Sequence, residues 1–203
     1  MDRFGLTGPH KSGKTTLAKA VAKRWGMKYV DMNLSSVLRA FGVTPNVEIP
    51  FARRLEVQRN MVNHSVNLLN EADSNYITDR TFLDIAGYTL SYMPHDVSDI
   101  EAESVRVLID QCYQCQAAFF DKTLILGNSF EVTNDATSAA EKANYNWAWN
   151  FQLQTIIKGL VLNSANKCPT NFIPDADSSV AARMDRMELL ISEAQRSSGI
   201  SLH

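Results

Sequence analysis

The sequence predicts an α/β domain: a mainly parallel sheet of about five strands with helices on both faces. Three observations lead to this. Short apolar segments alternate with longer stretches whose apolar residues recur every three to four positions. A glycine-rich loop stands between the first strand candidate and the first helical stretch. The composition, 45% hydrophobic and 21% charged over 203 residues, supplies a core of ordinary size, and nothing in it separates two halves, so residues 1–203 are expected to form a single domain.

Taken in order, Arg3-Phe4-Gly5-Leu6-Thr7 is the first strand candidate, and Leu17 to Trp25 the first helical stretch. Further strands are expected at Lys28–Asp31, Asn75–Thr78, Lys122–Leu126 and Asn171–Pro174. Between them run helical stripes: Leu55, Val62, Val66 and Leu69; Trp149, Leu153, Ile156 and Leu160; Val180, Met184, Met187 and Ile191. A further stripe, Val105, Leu108, Cys112, Cys115 and Phe119, places both thiols of a Cys-x-x-Cys on one helix face. A tetrahedral zinc needs about four ligands and only Cys168 remains, so both cysteines read as core. Residues Thr44–Pro50 and Gly127–Asn146 are polar connections. The second is long for a compact domain and reads as a lid or binding loop, with Lys142 its single cation. Ser197–His203 reads as a frayed tail. Ligands of such a sheet lie beyond the carboxyl ends of its strands.

Charge excludes some functions. Twenty Lys and Arg against 22 Asp and Glu give a net charge of -2, so no extended nucleic-acid surface is expected. No apolar run approaches the ~18–20 residues that span a bilayer. The opening Met1-Asp2-Arg3-Phe4-Gly5 lacks the apolar stretch of a signal peptide. The expectation is a cytoplasmic protein without membrane partners.

The loop after the first strand, Gly8-Pro9-His10-Lys11-Ser12-Gly13-Lys14-Thr15-Thr16, matches the phosphate-binding pattern G-x-x-x-x-G-K-[ST] in full and in the required strand–loop–helix setting. Glycines let backbone N–H groups turn inward around a phosphate, and the helix N-terminus adds a favourable dipole. Lys14 would bridge the β- and γ-phosphates, and the Thr15 hydroxyl would hold Mg²⁺. Thr16 is either a further phosphate contact or a helix-start hydroxyl. His10 and Lys11 occupy positions where any residue is tolerated, so His10 reads as filler rather than a catalytic histidine. The fold class is thereby a three-layer P-loop NTPase fold, with ATP and Mg²⁺ as expected cofactors.

The second acidic site narrows the class. Motor ATPases need an apolar strand ending in Asp-Glu, whereas Leu124-Ile125-Leu126 ends in Gly127-Asn128, and no Asn-Lys-x-Asp guanine signature occurs. What occurs is Ile77-Thr78-Asp79-Arg80-Thr81, a strand end passing directly into a helix. The P-loop together with Asp79-Arg80-Thr81 and Ala86-Gly87-Tyr88 resembles the motifs of thymidylate-kinase-type and deoxynucleoside kinases. The chain as a whole resembles small, often phage-encoded nucleotide-kinase-like P-loop proteins grouped with the ribosylnicotinamide kinases. The resemblance implies that Lys14, Asp79 and Arg80 are catalytic: Asp79, with Thr15, lies near Mg²⁺ and the acceptor oxygen, and Arg80 lies beside the transferring phosphoryl group. It also implies an acceptor site built by an arginine, an aromatic ring and an amide, for which Phe51, Arg54 and Gln58 share one helix face with Arg53 beside them. Asp31, at the end of the second strand, is either an acceptor contact or base, or a turn cap. Tyr145, Trp147 and Trp149 are candidates for base stacking, although Trp149 belongs to an apolar stripe and reads first as core.

The function read from this is ATP-dependent phosphoryl transfer to a small nucleotide acceptor, a deoxynucleoside monophosphate, with a homodimer as the assembly left open. The alternatives are a nucleoside or ribosylnicotinamide kinase acting on a hydroxyl, a kinase of a hydroxymethylated pyrimidine nucleotide or DNA base, and a non-catalytic nucleotide-binding switch.

Overall fold

The computed structural model describes residues 2–44, 47–72, 75–127, 146–163, 170–173 and 179–197. Lys142, Tyr145, Cys168 and the tail from 198 onward lie outside the described residues. Five strands, β1 (Arg3–Thr7), β2 (Lys28–Val30), β3 (Tyr76–Thr78), β4 (Lys122–Leu126) and β5 (Thr170–Ile173), form one sheet in the order β2-β3-β1-β4-β5. Every pairing is parallel. Among the described residues seven helices pack around the sheet: α1 (Lys14–Trp25), α2 (Leu34–Ala40), α3 (Phe51–Asn70), α4 (Phe82–Ser91), α5 (Asp99–Phe119), α6 (Trp147–Asn163) and α7 (Val180–Ser197).

Strand alternation sorts the core into two layers. Leu124, Leu126 and Ile77 point to one face with Phe4 and Leu6, where Leu17, Val21, Met187 and Ile191 of α1 and α7 cover them. Ile125 and Tyr76 point to the other, under α3, α4, α5 and α6. This is the expected three-layer α/β sandwich. Cys112 belongs to the second layer and Cys115 packs against it; burial pushes both thiols up, so they behave as core.

The differences from the sequence reading are local. Helix α1 begins at Lys14, three residues earlier than its apolar stripe, because the loop itself is polar. Helix α2, only seven residues long with Val37 as its one buried position, is too short to show periodicity. Val180, placed on the apolar stripe of α7, is exposed at the first residue of the helix, while Met187 and Ile191 are buried as expected. No described helix is long and apolar enough to cross a membrane.

The register fixes the site. Gly5 lies beside Thr78, and Thr7 beside Ile125. The residues that follow β1, β3 and β4 therefore emerge side by side, at the place where the strand order turns outward from β1 in both directions.

Candidate active site

The loop between β1 and α1 closes tightly against β4. Gly8 has φ +141°, and a Cβ there would stand 2.3 Å from the Leu126 carbonyl oxygen. A side chain is therefore excluded both by backbone conformation and by contact. Gly13 caps α1 in the left-handed region, φ +83°. Lys14 is buried and folds back over the loop, its Nζ donating to the carbonyls of Gly8 (2.8 Å) and Pro9 (2.5 Å) and to Ser12 Oγ (3.2 Å). Burial, reinforced by the Arg80 guanidinium, lowers its pKa to about 7.

Asp79 follows β3 and reaches across to α1. Its Oδ2 accepts from Thr15 Oγ1 at 2.5 Å and from Tyr29 OH at 2.9 Å. Burial and the nearby carboxylate push the Tyr29 phenol up, which keeps it a donor. The other oxygen, Oδ1, is buried with no protein partner. The pair expected from sequence, Thr15 with Asp79, is thus brought together with one carboxylate oxygen to spare.

Arg80 and Thr81 open α4. Thr81 caps the helix in a reciprocal capping box: its side chain accepts from Leu83 N, and Asp84 Oδ2 accepts from Thr81 N at 2.8 Å. Asp84 is fully buried, and its Oδ1 also takes Arg80 Nη1 at 3.2 Å. Burial alone would lower the arginine's pKa; the facing Tyr88 and Asp84 more than offset it, so the guanidinium stays charged. Arg80 is held from the loop side too, with Nη2 3.4 Å from His10 Nδ1. His10 is therefore no filler. Its backbone N–H donates to Asn150 Oδ1 at 3.1 Å, its Nε2 meets Tyr88 OH at 2.5 Å, and its ring stacks on Trp149, 5.7 Å between centroids.

The proposed acceptor residues separate. Arg54 is half-buried, its guanidinium 3.8 Å over the Tyr92 ring, and Tyr92 in turn packs on Trp149 at 5.8 Å. Among the described residues no side-chain acceptor meets its N–H groups. Gln58 is buried on the same helix face with Oε1 unpartnered. Phe51 packs partly against the core. Arg53, in contrast, faces outward, paired with Glu56 at 2.5 Å and stacked over Phe41; one step along a helix is a turn of about 100°, so adjacent arginines cannot share a face. Asp31 is exposed and accepts from Asn33 N at 2.9 Å, the turn-capping alternative. Trp149 joins the His10 cluster half-buried, while Trp147 is exposed and stacks on Phe151.

Sequence reasoning passed over Tyr92, on which Arg54 stacks, and four more residues at this site. Asp84 was visible as the fourth residue of Thr81-x-x-Asp84, a capping-box pattern. Asn150 and Arg183 stand on the buried faces of α6 and α7, where a polar residue within an apolar stripe is the signal; Arg183 is 2% exposed and donates to the Ser12 carbonyl at 2.6 Å. Tyr29 carries no such mark.

This architecture and loop define a P-loop NTPase. The family model described as AAA domain matches residues 3–160, and the chain belongs to that AAA domain family. No curated protein sequence matches the chain significantly. Among solved structures the fold is similar to that of a deoxyadenosine kinase from M. mycoides with bound dCTP, with TM-score 0.66, 13% identity, and 93% of this chain and 98% of that one covered. It is also similar to a NadR protein in complex with NR, with TM-score 0.61 and 12% identity; all of this chain but only 52% of that one is covered. The YorR protein of Bacillus subtilis in complex with phosphorylated GDP has a TM-score of 0.56 at 13% identity, covering 98% and 99%.

Proposed function

We propose that this protein transfers the γ-phosphoryl group of ATP to a deoxynucleoside monophosphate. The observation that carries the choice of acceptor is Arg54: a half-buried guanidinium, stacked on Tyr92, whose hydrogen-bonding edge meets no side-chain acceptor among the described residues. A planar fork of donors suits a phosphate bidentately. Gln58, with its buried, unpartnered amide oxygen four residues on, is suited to a base edge. The ring contacts from Tyr92 through Trp149 to His10 join this face to the phosphate loop.

The residues present fit Mg-ATP. Asp79 Oδ1 is buried without a partner beside the Thr15 hydroxyl, and no cluster of three or more His, Cys, Asp or Glu occurs among the described residues. One hydroxyl and one carboxylate make a donor set that substrate phosphates and water complete, as is usual for Mg²⁺. The ion would supply charge neutralisation across the transferring phosphates. Lys14 would exchange its contacts with the Gly8 and Pro9 carbonyls for phosphate oxygens, and its charge is restored there by the anion. Arg80, fixed by Asp84, would face the charge that develops on the equatorial oxygens. A monophosphate acceptor already carries a negative oxygen at neutral pH, so no general base is required, in keeping with Asp31 serving as a cap.

The test is ADP release and product analysis with Mg-ATP against deoxynucleoside and ribonucleoside monophosphates, deoxynucleosides and nicotinamide riboside. Transfer to one or a few monophosphates is expected, and Lys14→Ala and Asp79→Asn each lower kcat at least about a hundredfold while leaving the fold intact. Transfer only to nucleosides or nicotinamide riboside would move the acceptor to a hydroxyl. ATP binding with transfer to none would favour a modified pyrimidine acceptor or a nucleotide switch.

A further inference from the structure

The phosphate loop carries a side chain that touches the candidate catalytic arginine. We propose that His10 is a positioning residue for Arg80, its Nδ1 accepting from the Arg80 guanidinium while Tyr88 engages Nε2, so that the loop that cradles phosphates also aims the arginine. The role assigned to Arg80 rests on the kinase reading above; the contact itself does not.

The proposed contact requires one tautomer of the imidazole. A guanidinium has only donors, so a hydrogen bond from Arg80 Nη2 to His10 Nδ1, 3.4 Å away, needs that nitrogen bare. The ring proton then sits on Nε2, and the Tyr88 oxygen 2.5 Å away accepts it. Burial pushes the Tyr88 phenol up to about 12, so it is neutral. Ring orientation is fixed twice more, by the stack on Trp149 (5.7 Å, 21° between planes) and by the backbone N–H anchored on Asn150 Oδ1. The ring stays neutral because it is withdrawn from water and because Arg80, Lys14 and Lys11 all face it with positive charge. The other neighbours from packed elements, Trp149 and Asn150 of α6, are uncharged, and Asp84 of α4 is engaged by Arg80 and Thr81.

The chemistry of this acceptor matters. A carboxylate at the loop would hold Arg80 more tightly but would cancel the charge that a phosphoryl group needs. A neutral imidazole nitrogen directs the guanidinium without neutralising it. Arg80 is thus fixed from two sides: Asp84 takes Nη1 at the helix and His10 takes Nη2 at the loop.

Two measurements test this. The first is independent of any acceptor: ¹⁵N NMR of imidazole-labelled protein should show His10 as the Nε2–H tautomer, with no titration near the ordinary histidine range, and Arg80→Lys should disturb that signal. An Nδ1–H tautomer or an imidazolium would overturn the proposal. The second is turnover with the acceptor found in the panel above. His10→Leu should lower kcat about tenfold with KM for ATP changed less than about twofold. His10→Asn, whose Oδ1 stands where Nδ1 stood, should recover most of that loss, whereas in an Arg80→Lys background His10→Leu should have little further effect. Equal losses for His10→Leu and His10→Asn, or the same tenfold loss in both Arg80 backgrounds, would overturn it. Thermal unfolding of each variant separates loss of fold from loss of placement. A wild-type protein that transfers to no acceptor of the panel would refute the monophosphate reading and leave the NMR measurement to decide this proposal.

Discussion

Replacing Asp84 with Asn tests whether a buried charge pair holds Arg80, the candidate catalytic arginine, or merely accompanies it. The Asp84 carboxylate is 0% exposed and lies 3.2 Å from Arg80 Nη1, with the Arg80 side chain 23% exposed. At that distance and an effective dielectric of about 20 the raw attraction is about 5 kcal/mol, most of it offset by desolvation of the two ions. Deleting one partner is a different matter, because it strands the other charge; for buried pairs this costs about 3–5 kcal/mol. Water still reaches Arg80, so the lower end applies, about 3 kcal/mol. Asn keeps one oxygen to accept Thr81 N–H, so most of the capping contribution of about 1 kcal/mol survives. A chain of this size loses about 2–4 °C of melting temperature per kcal/mol, which gives a fall of about 6–12 °C. Urea denaturation of the wild type, Asp84→Asn, Arg80→Met and the double variant gives the coupling directly. If the stranded charge is the cause, the double variant is less destabilised than the two singles summed, by about 2 kcal/mol at unchanged m. Additivity within about 0.5 kcal/mol would refute the reasoning.

Three further outcomes are expected. Gly8→Ala, which drives a Cβ to 2.3 Å from the Leu126 carbonyl at φ +141°, should destabilise the fold by about 2–4 kcal/mol and abolish ATP binding, as read by calorimetry. Lys14→Met should raise the stability of the nucleotide-free protein at pH 6. The folded pKa of about 7 lies below the ordinary 10.5, so the native state bears an unfavourable charge below pH 7 and is relieved of it as pH rises to 10.5. Stability of the wild type therefore climbs through that window and the advantage of the variant, a few kcal/mol, disappears by its end, which urea midpoints against pH would reveal. Arg54→Gln should raise KM for the acceptor about tenfold or more, whereas Arg53→Gln, which loses an exposed pair with Glu56 and a stack on Phe41, should change it less than about twofold.

Most of the fold was legible because its signals are local. Strands of three to five residues between turn-rich segments, and helices with apolar residues on one face, are written in the order of the chain, and the phosphate loop adds its own conformational demand at Gly8 and Gly13. The site was legible where two motifs had to meet, Thr15 with Asp79, since a parallel sheet leaves the ends of β1 and β3 adjacent. It was illegible where the outcome depended on helix phase or distance. Spacing put Arg53 and Arg54 together, and only the burial of Leu55 and Gln58 decides which of them turns inward. His10 has no distinguishing pattern, because the partners that give it meaning, Arg80, Tyr88 and Asn150, lie 70, 78 and 140 residues away.

The same separations imply that the phosphate loop is a property of the closed domain and not of the β1–α1 unit. Asn150 of α6 holds the His10 N–H, Arg183 of α7 donates to the Ser12 carbonyl, and Asp79 takes Thr15 across 64 residues. Arg183 lies beyond residues 3–160, so the family match covers the loop but not this support. Arg183→Met should leave the Ser12 carbonyl without its buried donor, destabilise the protein by about 1–3 kcal/mol, and weaken ATP binding about fivefold or more. ATP in turn should raise the melting temperature of the whole domain in one transition, since a ligand that binds only the closed loop stabilises everything that closes it. Calorimetric titration of ATP into the stable fraction of the variant separates the two effects. An unchanged affinity would mean that the loop holds its shape without Arg183, and that the glycines, Lys14 and the contacts from Asn150 and Asp79 are sufficient to form it.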